Sequence, residues 1–185
     1  LIFFTPKSLL RHPSFISPME DLARGGFREV FDDPAAQPGE VSRVLLCTGK
    51  IYYDLLEEKE KTGMSHIAIV RIEQINPFPE NQLLTLREKY KNATNWLWVQ
   101  EEPANMGAWG FLKLHHDHFN LKLVSRPASG SPATGSSRFH FQQQRKIIDK
   151  AFHQCQCPRL DQECRMVCIG NQWRSFARET ESPNS

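Results

Sequence analysis

The sequence has no apolar run approaching the roughly 18 residues that a membrane-spanning helix requires. Its opening LIFF (1–4) gives way to Pro6 and Lys7 too soon to be a signal peptide. Neither sign of charge dominates. With 23 Lys and Arg against 21 Asp and Glu, the net charge of +2 supplies no field strong enough to argue for a nucleic-acid partner. A nucleophile elbow and the spaced glycines of a dinucleotide fingerprint are also missing, which removes two common enzyme classes. Cysteine is scarce where a core would be. Residues 1–154 hold only Cys47, inside the apolar run VLLC, so the body reads as a chain from a reducing compartment with a small buried thiol. Cys155, Cys157, Cys164 and Cys168 follow in the tail, and their C-x-C-x6-C-x3-C spacing matches no standard zinc pattern. No hydrophobic period runs through 154–185, which predicts a disordered extension; a structural metal is the alternative.

What is present is an alternation of strand-length apolar runs with helical patterns. VSRVLLCT (41–48) reads as a strand, Gly49 as a turn, and IYYDLLEEKEK as a helix with Ile51, Tyr52, Leu55 and Leu56 on one face. IAIVRI (67–72) is a second strand. Pro79 then opens a helix in which Leu83, Leu84, Leu86 and Tyr90 can pack. NWLWVQ (95–100) and LKLVSR (121–126) are further strands on either side of a helix over WGFLKLHHDHF (109–119). The last helix, about 139–153, offers Phe141, Ile147, Ile148, Ala151 and Phe152 as its apolar face. This regular alternation predicts an α/β fold with a mostly parallel sheet covered by helices on both faces. Residues 1–40, with Pro6, Pro13, Pro18, Pro34 and Pro38 and no sustained period, read as the end of a preceding domain and a connector. The start at Leu1 rather than Met points to a piece of a longer polypeptide. The expected organisation is therefore 1–40 connector, 41–153 α/β domain and 154–185 tail.

Functional groups in such sheets gather at the carboxyl ends of the strands. TGK (48–50) resembles a phosphate loop only weakly, since it lacks the earlier spaced glycine and a Lys-Ser or Lys-Thr pair. In QEEPANMGAW (100–109), Glu101 and Glu102 are adjacent, and side chains of successive strand residues point to opposite sides. They are expected to divide their roles, one accepting backbone or Arg hydrogen bonds and the other solvated, rather than to act as an acid/base pair. Pro103 and Gly107 set the loop, Asn105 closes a turn, and Trp109 is an apolar anchor suited to a domain or subunit contact. His115 and His118 are placed three apart, where they could share a helix face with Asp117 or His116 nearby, but no third metal ligand is fixed by pattern. Surface histidines are the preferred reading, and no metal site is assigned.

FTPKSLLRHP (4–13), LLCTGKIYYDL (45–55), IAIVRIEQINPFP (67–79), WVQEEPANMGAW (98–109) and SRPASGSPATGSS (125–137) resemble successive landmarks in the C-terminal part of the thiamine-dependent, decarboxylating first component of the 2-oxoglutarate dehydrogenase complex. The landmarks run in family order and the resemblance covers residues 2 to about 153. The RPASGSPATGSS form is more similar to bacterial members. The resemblance implies a transketolase C-terminal-like domain belonging to an oxidoreductase of the tricarboxylic acid cycle, which decarboxylates 2-oxoglutarate and passes a succinyl group to lipoamide. It further implies a homodimer, a lipoyl-bearing succinyltransferase partner and a cytoplasmic location, with the mitochondrial matrix as alternative. Thiamine diphosphate and Mg2+ are implied to sit in upstream domains, so no catalytic or cofactor-binding residue is assigned here and the segment alone is expected to be inactive. The related 2-oxoadipate dehydrogenase component is the neighbouring alternative. A non-catalytic interaction or effector-binding module is the other, in which Lys7, Arg11, Lys50 and Arg126 would form an anion pocket; salt bridges from connector to sheet are the plainer role for these four. The resemblance also makes Glu101, Glu102, Asn105, Gly107 and Trp109 a structural loop at an interface.

Overall fold

The computed structural model describes residues 2, 6–152, 168–169 and 172–173. The chain divides into two compact units, one from Leu1 to Trp96 and one from Leu97 onward.

The first unit begins with a 3-10 turn (Lys7–Leu9) and the short helix α1 (Met19–Ala23). A two-residue strand, β1 (Val30–Phe31), then leads to β2 (Arg43–Cys47), helix α2 (Ile51–Thr62), β3 (Ile67–Ile72) and helix α3 (Glu80–Lys89). All of β2 is buried, as expected for a strand of a parallel sheet. β2 and β3 pair in parallel from Arg43 with Ile67 to Cys47 with Arg71. β1 pairs antiparallel with the other edge of β3, Val30 opposite Ile72 and Phe31 opposite Arg71. That strand lies in the segment read from sequence as a connector without period, and it makes the sheet mixed. Cys47 is fully buried, its thiol directed at the Val70 carbonyl (3.8 Å), and burial pushes its pKa well above the usual thiol value. α2 buries Ile51, Leu55 and Glu58, with Tyr52 and Leu56 half-buried. It ends at Gly63, whose φ of +63° supplies the left-handed cap that a side chain would strain. α3 turns Leu83 and Leu86 inward, but Leu84, expected on the same face, is 46% exposed; Leu83 and Leu86 are three apart, and the next residue lies 100° round the helix.

The stretch after β1 is held by two aspartates that no motif announces. Asp33 is buried and pairs with Lys59 of α2 at 2.6 Å; the same oxygen accepts the Ile69 N–H of β3 at 2.9 Å. Asp32 accepts the Tyr90 hydroxyl at 2.7 Å and pairs with Lys89. Burial first, and then the bond to Asp32, raises the Tyr90 pKa above its ordinary value.

The second unit contains most of β4 (Asn95–Pro103), then helix α4 (Trp109–His115), a 3-10 turn (Asp117–Phe119), β5 (Lys122–Arg126) and helix α5 (Ser137–Phe152). β4 runs past the predicted end at Gln100, so Glu101 and Glu102 are strand residues. It pairs in parallel with β5 from Leu97 with Lys122 to Val99 with Val124, and after a register shift Pro103 faces Arg126. The single helix expected over 109–119 is instead broken at His116, which leaves helical geometry at φ −132°. α5 packs with Gln144, Ile147, Ile148, Ala151 and Phe152 buried, while Phe141, assigned to that face from sequence, is 70% exposed. Its position is one turn before Gln144, the first buried residue of α5.

The strand pairing is mostly parallel and mixed, with the order β1-β3-β2 in the first unit and β4 beside β5 in the second. Of the tail, the described residues are two short strands, Cys168–Ile169 and Gln172–Trp173, paired antiparallel; the expectation of disorder over 154–185 otherwise falls outside the described residues. Among the described residues no helix is long and apolar enough to cross a membrane.

Candidate functional site

The loop that leaves β4 is organised by one amide. Gln100 is buried at the end of the apolar strand. Its Oε1 accepts the Trp98 indole N–H at 2.9 Å and the Trp109 backbone N–H at 3.2 Å. Its Nε2 donates to the carbonyls of Met106 at 2.8 Å and Pro103 at 3.1 Å, with Glu102 at 3.4 Å. A side-chain amide has two donors and an acceptor with two lone pairs, so these bonds use its whole capacity. The loop closes over the amide at Gly107, where φ is +68° and a Cβ would meet the Gln100 amide at 3.1 Å. Glycine is therefore required there twice, for backbone conformation and for space.

The two adjacent carboxylates differ in burial. Glu101 is half-buried and Glu102 exposed, as alternation along a strand dictates. Trp109 is only half-buried within this chain. The buried indole is that of Trp98, two residues before Gln100. Neither Trp98 nor Gln100 was marked by the sequence; the available signal was a polar residue ending an apolar strand just before a Pro- and Gly-containing turn.

Asn105 joins this loop to the next. Its Nδ2 donates to the Ser129 carbonyl at 2.9 Å and its Oδ1 accepts the Ser129 N–H at 3.0 Å, a reciprocal pair that holds the SRPASGSPATGSS segment as a strand neighbour would. Within that segment Ser131 N–H donates to Ser129 Oγ (3.1 Å), and Ser131 Oγ donates to the Ala133 carbonyl (2.8 Å). Together with the end of β5 and the start of α5 these residues wall a cavity of about 420 Å³, lined among others by Pro103, Arg126, Ser129, Thr134, Ser136 and Phe139. Arg126 forms part of the wall while being only 8% exposed. Its Nη2 reaches His140 Nδ1 at 3.0 Å and Gln144 Oε1 at 3.4 Å. A guanidinium can only donate, so in this contact His140 Nδ1 is the acceptor.

The other basic residues named from the sequence lie in the first unit. Lys7 and Arg11 are exposed, and Lys50, at the entrance to α2, pairs with Asp54 at 3.6 Å. His115 and His118 do not share a helix face, because the chain leaves α4 between them. Their rings pack on aromatic neighbours instead, His115 against Phe111 (5.0 Å) and His118 against Phe119 (4.6 Å), while Asp117 is engaged by Lys113 at 2.5 Å.

A family model described as "2-oxoglutarate dehydrogenase C-terminal" matches residues 16–152. The "2-oxoglutarate dehydrogenase E1 component" of Azotobacter vinelandii is 44% identical over 162 residues, covering 82% of this chain and 17% of that protein. The "Multifunctional 2-oxoglutarate metabolism enzyme" of Mycobacterium sp. (strain JLS) is 43% identical over 163 residues, 82% of this chain and 13% of its own length. The "2-oxoglutarate dehydrogenase E1 component" of Haemophilus influenzae is 41% identical, with 82% and 17% covered. The chain thus spans well under a fifth of the curated relatives it matches.

Proposed function

Because this chain belongs to the 2-oxoglutarate dehydrogenase C-terminal family, we propose that it serves as the C-terminal segment of a 2-oxoglutarate dehydrogenase subunit, an oxidoreductase that decarboxylates 2-oxoglutarate and passes the succinyl group to lipoamide. The observation that carries this reading is the collinear match over 82% of the chain to enzymes named for 2-oxoglutarate. Those names favour 2-oxoglutarate over 2-oxoadipate as the substrate. The same reading supplies a homodimer, a lipoyl-bearing partner in a multienzyme complex and a cytoplasmic setting. It divides the chain into a connector (1–40), the α/β domain (41–153) and a tail (154–185).

In this proposal the segment itself is architectural. Thiamine diphosphate supplies, when bound, the carbanion-stabilising chemistry of 2-oxo acid decarboxylation, and its Mg2+ calls for carboxylate or carbonyl oxygen ligands beside the diphosphate. The cavity behind β5 has neither Asp nor Glu in its wall, so its residues do not fit that ion and no chemical step is assigned to them. Gln100, Asn105 and Gly107 fix the loop that presents the half-buried Trp109 to a subunit or domain surface.

The test is a chimera. Residues 1–152 replace the matching C-terminal segment of the Azotobacter enzyme, and oxidation of 2-oxoglutarate and of 2-oxoadipate is measured alongside oligomeric state. Assembly with retained 2-oxoglutarate activity is expected, and the isolated chain with thiamine diphosphate and Mg2+ should release no CO2. A soluble, assembled chimera inactive on 2-oxoglutarate would refute the assignment.

A further inference from the structure

The histidine run LHHDHF (114–119) has no part in the architecture proposed above. In a continuous helix, residues two apart stand about 200° apart around the axis, so His116 and His118 would point to opposite sides. The chain does not continue. His116 leaves helical geometry at φ −132° and ψ 31°, and the 3-10 turn over Asp117–Phe119 follows. That break brings the two rings together: their centroids are 6.0 Å apart, and a ring nitrogen of each lies within 4.8 Å of one of the other. His115, which sequence spacing pairs with His118, stays on α4 with its ring against Phe111 at 5.0 Å.

The backbone that carries the pair is fixed. The His116 N–H donates to the Leu112 carbonyl at 2.8 Å, and the His116 carbonyl accepts the Phe119 N–H at 3.1 Å. Phe119 is buried, and Asn120 closes the turn at φ +46° with its N–H on the Asp117 carbonyl at 2.8 Å. Opening the turn would pull Phe119 out of the core. The Asp117 carboxylate, between the two histidines in sequence, is engaged by Lys113 at 2.5 Å, which leaves the imidazoles as the donors that face one another. Imidazole nitrogen suits zinc, copper and nickel, whereas Mg2+ and Ca2+ call for oxygen. Zinc takes histidine nitrogen at about 2.0–2.1 Å, so two such nitrogens on a tetrahedral ion stand about 3.3 Å apart. Rotation of the exposed His118 side chain closes the difference. We propose that His116 and His118 chelate a divalent metal ion of the zinc class, with its remaining positions open to water. The ion would act as a clamp on the turn after α4: it binds the pair only while the break is in place, and so stabilises it. This role is independent of the decarboxylase assignment.

The experiment uses the full 185-residue chain carrying Cys155→Ser, Cys157→Ser, Cys164→Ser and Cys168→Ser, so that tail thiolates do not compete for the ion. Zn2+ is titrated by calorimetry, and the imidazole resonances are followed by 1H–15N NMR. One saturable site is expected, with the His116 and His118 rings shifting together and Mg2+ at least about a hundredfold weaker. Either His116→Asn or His118→Asn should weaken Zn2+ by about tenfold or more, because the second imidazole binds intramolecularly once the first is engaged, whereas His115→Asn should leave it within about twofold. The melting temperature should rise with Zn2+ in the parent and not in His118→Asn. Circular dichroism records whether the variant at half-buried His116 is folded; if it is not, the variant at exposed His118 decides. Zn2+ bound no more tightly than Mg2+, a His118→Asn chain that binds like the parent, or a loss on His115→Asn equal to that on His118→Asn would each overturn the proposal.

Discussion

In the first unit charge meets charge: the buried Asp33 holds Lys59 at 2.6 Å, and Asp32, nearer the surface, pairs with Lys89 and accepts from Tyr90. In the second unit the corresponding work is done by amides. Gln100 and Asn105 tie two loops through backbone groups, and the one deeply buried guanidinium on the cavity wall rests on neutral acceptors. An ion pair closed within the fold has nothing left to offer a ligand. An amide network fixes loop shape without fixing charge. The contrast separates ion pairs that hold strand to helix in the first unit from neutral bonds that hold loop to loop in the second.

The charged side of this contrast is most vulnerable at Asp33. Asp33→Ala leaves Lys59 buried without its partner and the Ile69 N–H without its acceptor, and should cost about 3–5 kcal/mol in urea unfolding. Hydrogen exchange should localise the loss to β1, β3 and α2. A change under about 1 kcal/mol would mean that the pair is compensated by water and that the contrast between the units is weaker than drawn.

Gln100→Leu tests the neutral counterpart. It strands the Trp98 indole N–H and the Met106 and Pro103 carbonyls, for an expected loss of about 3 kcal/mol with exchange rising over 100–109. Gly107→Ala in the same loop should cost about 1–3 kcal/mol, from its positive φ and its 3.1 Å approach to the Gln100 amide. If Gly107→Ala proved the more damaging of the two, backbone strain rather than the amide would be the organising element.

Smaller and dependent on pH is the effect of Tyr90. Its pKa is raised in the fold, so the folded state keeps a proton that the unfolded chain has released. Stability from this group is complete below the ordinary tyrosine value near 10 and is lost as pH climbs from there toward the folded value. The slope is at most about 1.4 kcal/mol per pH unit. Tyr90→Phe should flatten that part of the alkaline profile, and an unchanged slope would refute the assignment to Tyr90. Glu102→Gln, on an exposed side chain, should change stability by less than about 0.5 kcal/mol; a larger loss would return the acidic pair to consideration.

The core elements were legible because each repeats a period. β2, α2 and β3 are continuous apolar or amphipathic runs bounded by glycine, and they appear where the pattern puts them. β1 was not legible: Val30 and Phe31 form a strand only through pairing with Ile72 and Arg71, far along the chain, and two residues define no period. The helix over 109–119 was extended too far because His115, His116 and His118 keep a helical spacing, whereas the backbone turns at His116 to seat Phe119 in the core. For the site, the Gly107 and Asn105 positions were visible as turn chemistry. Gln100 was not, since its partners are carbonyls whose positions depend on how the following loop folds. Arg126 was picked out for its charge; what distinguishes it from Lys50 is the neutral company it keeps, and that exists only in three dimensions.

Cys47 makes the molecule its own reporter. A thiol with no solvent exposure and a raised pKa reacts with an alkylating agent only when the strand that carries it opens, because the thiolate is the nucleophile. Its alkylation rate in native buffer, followed on the Cys47 peptide by mass spectrometry so that the tail cysteines do not interfere, therefore measures the opening free energy of β2 without denaturant. A common thiol reagent and a clock thus replace a melting curve for ranking first-unit variants, including those that aggregate on heating.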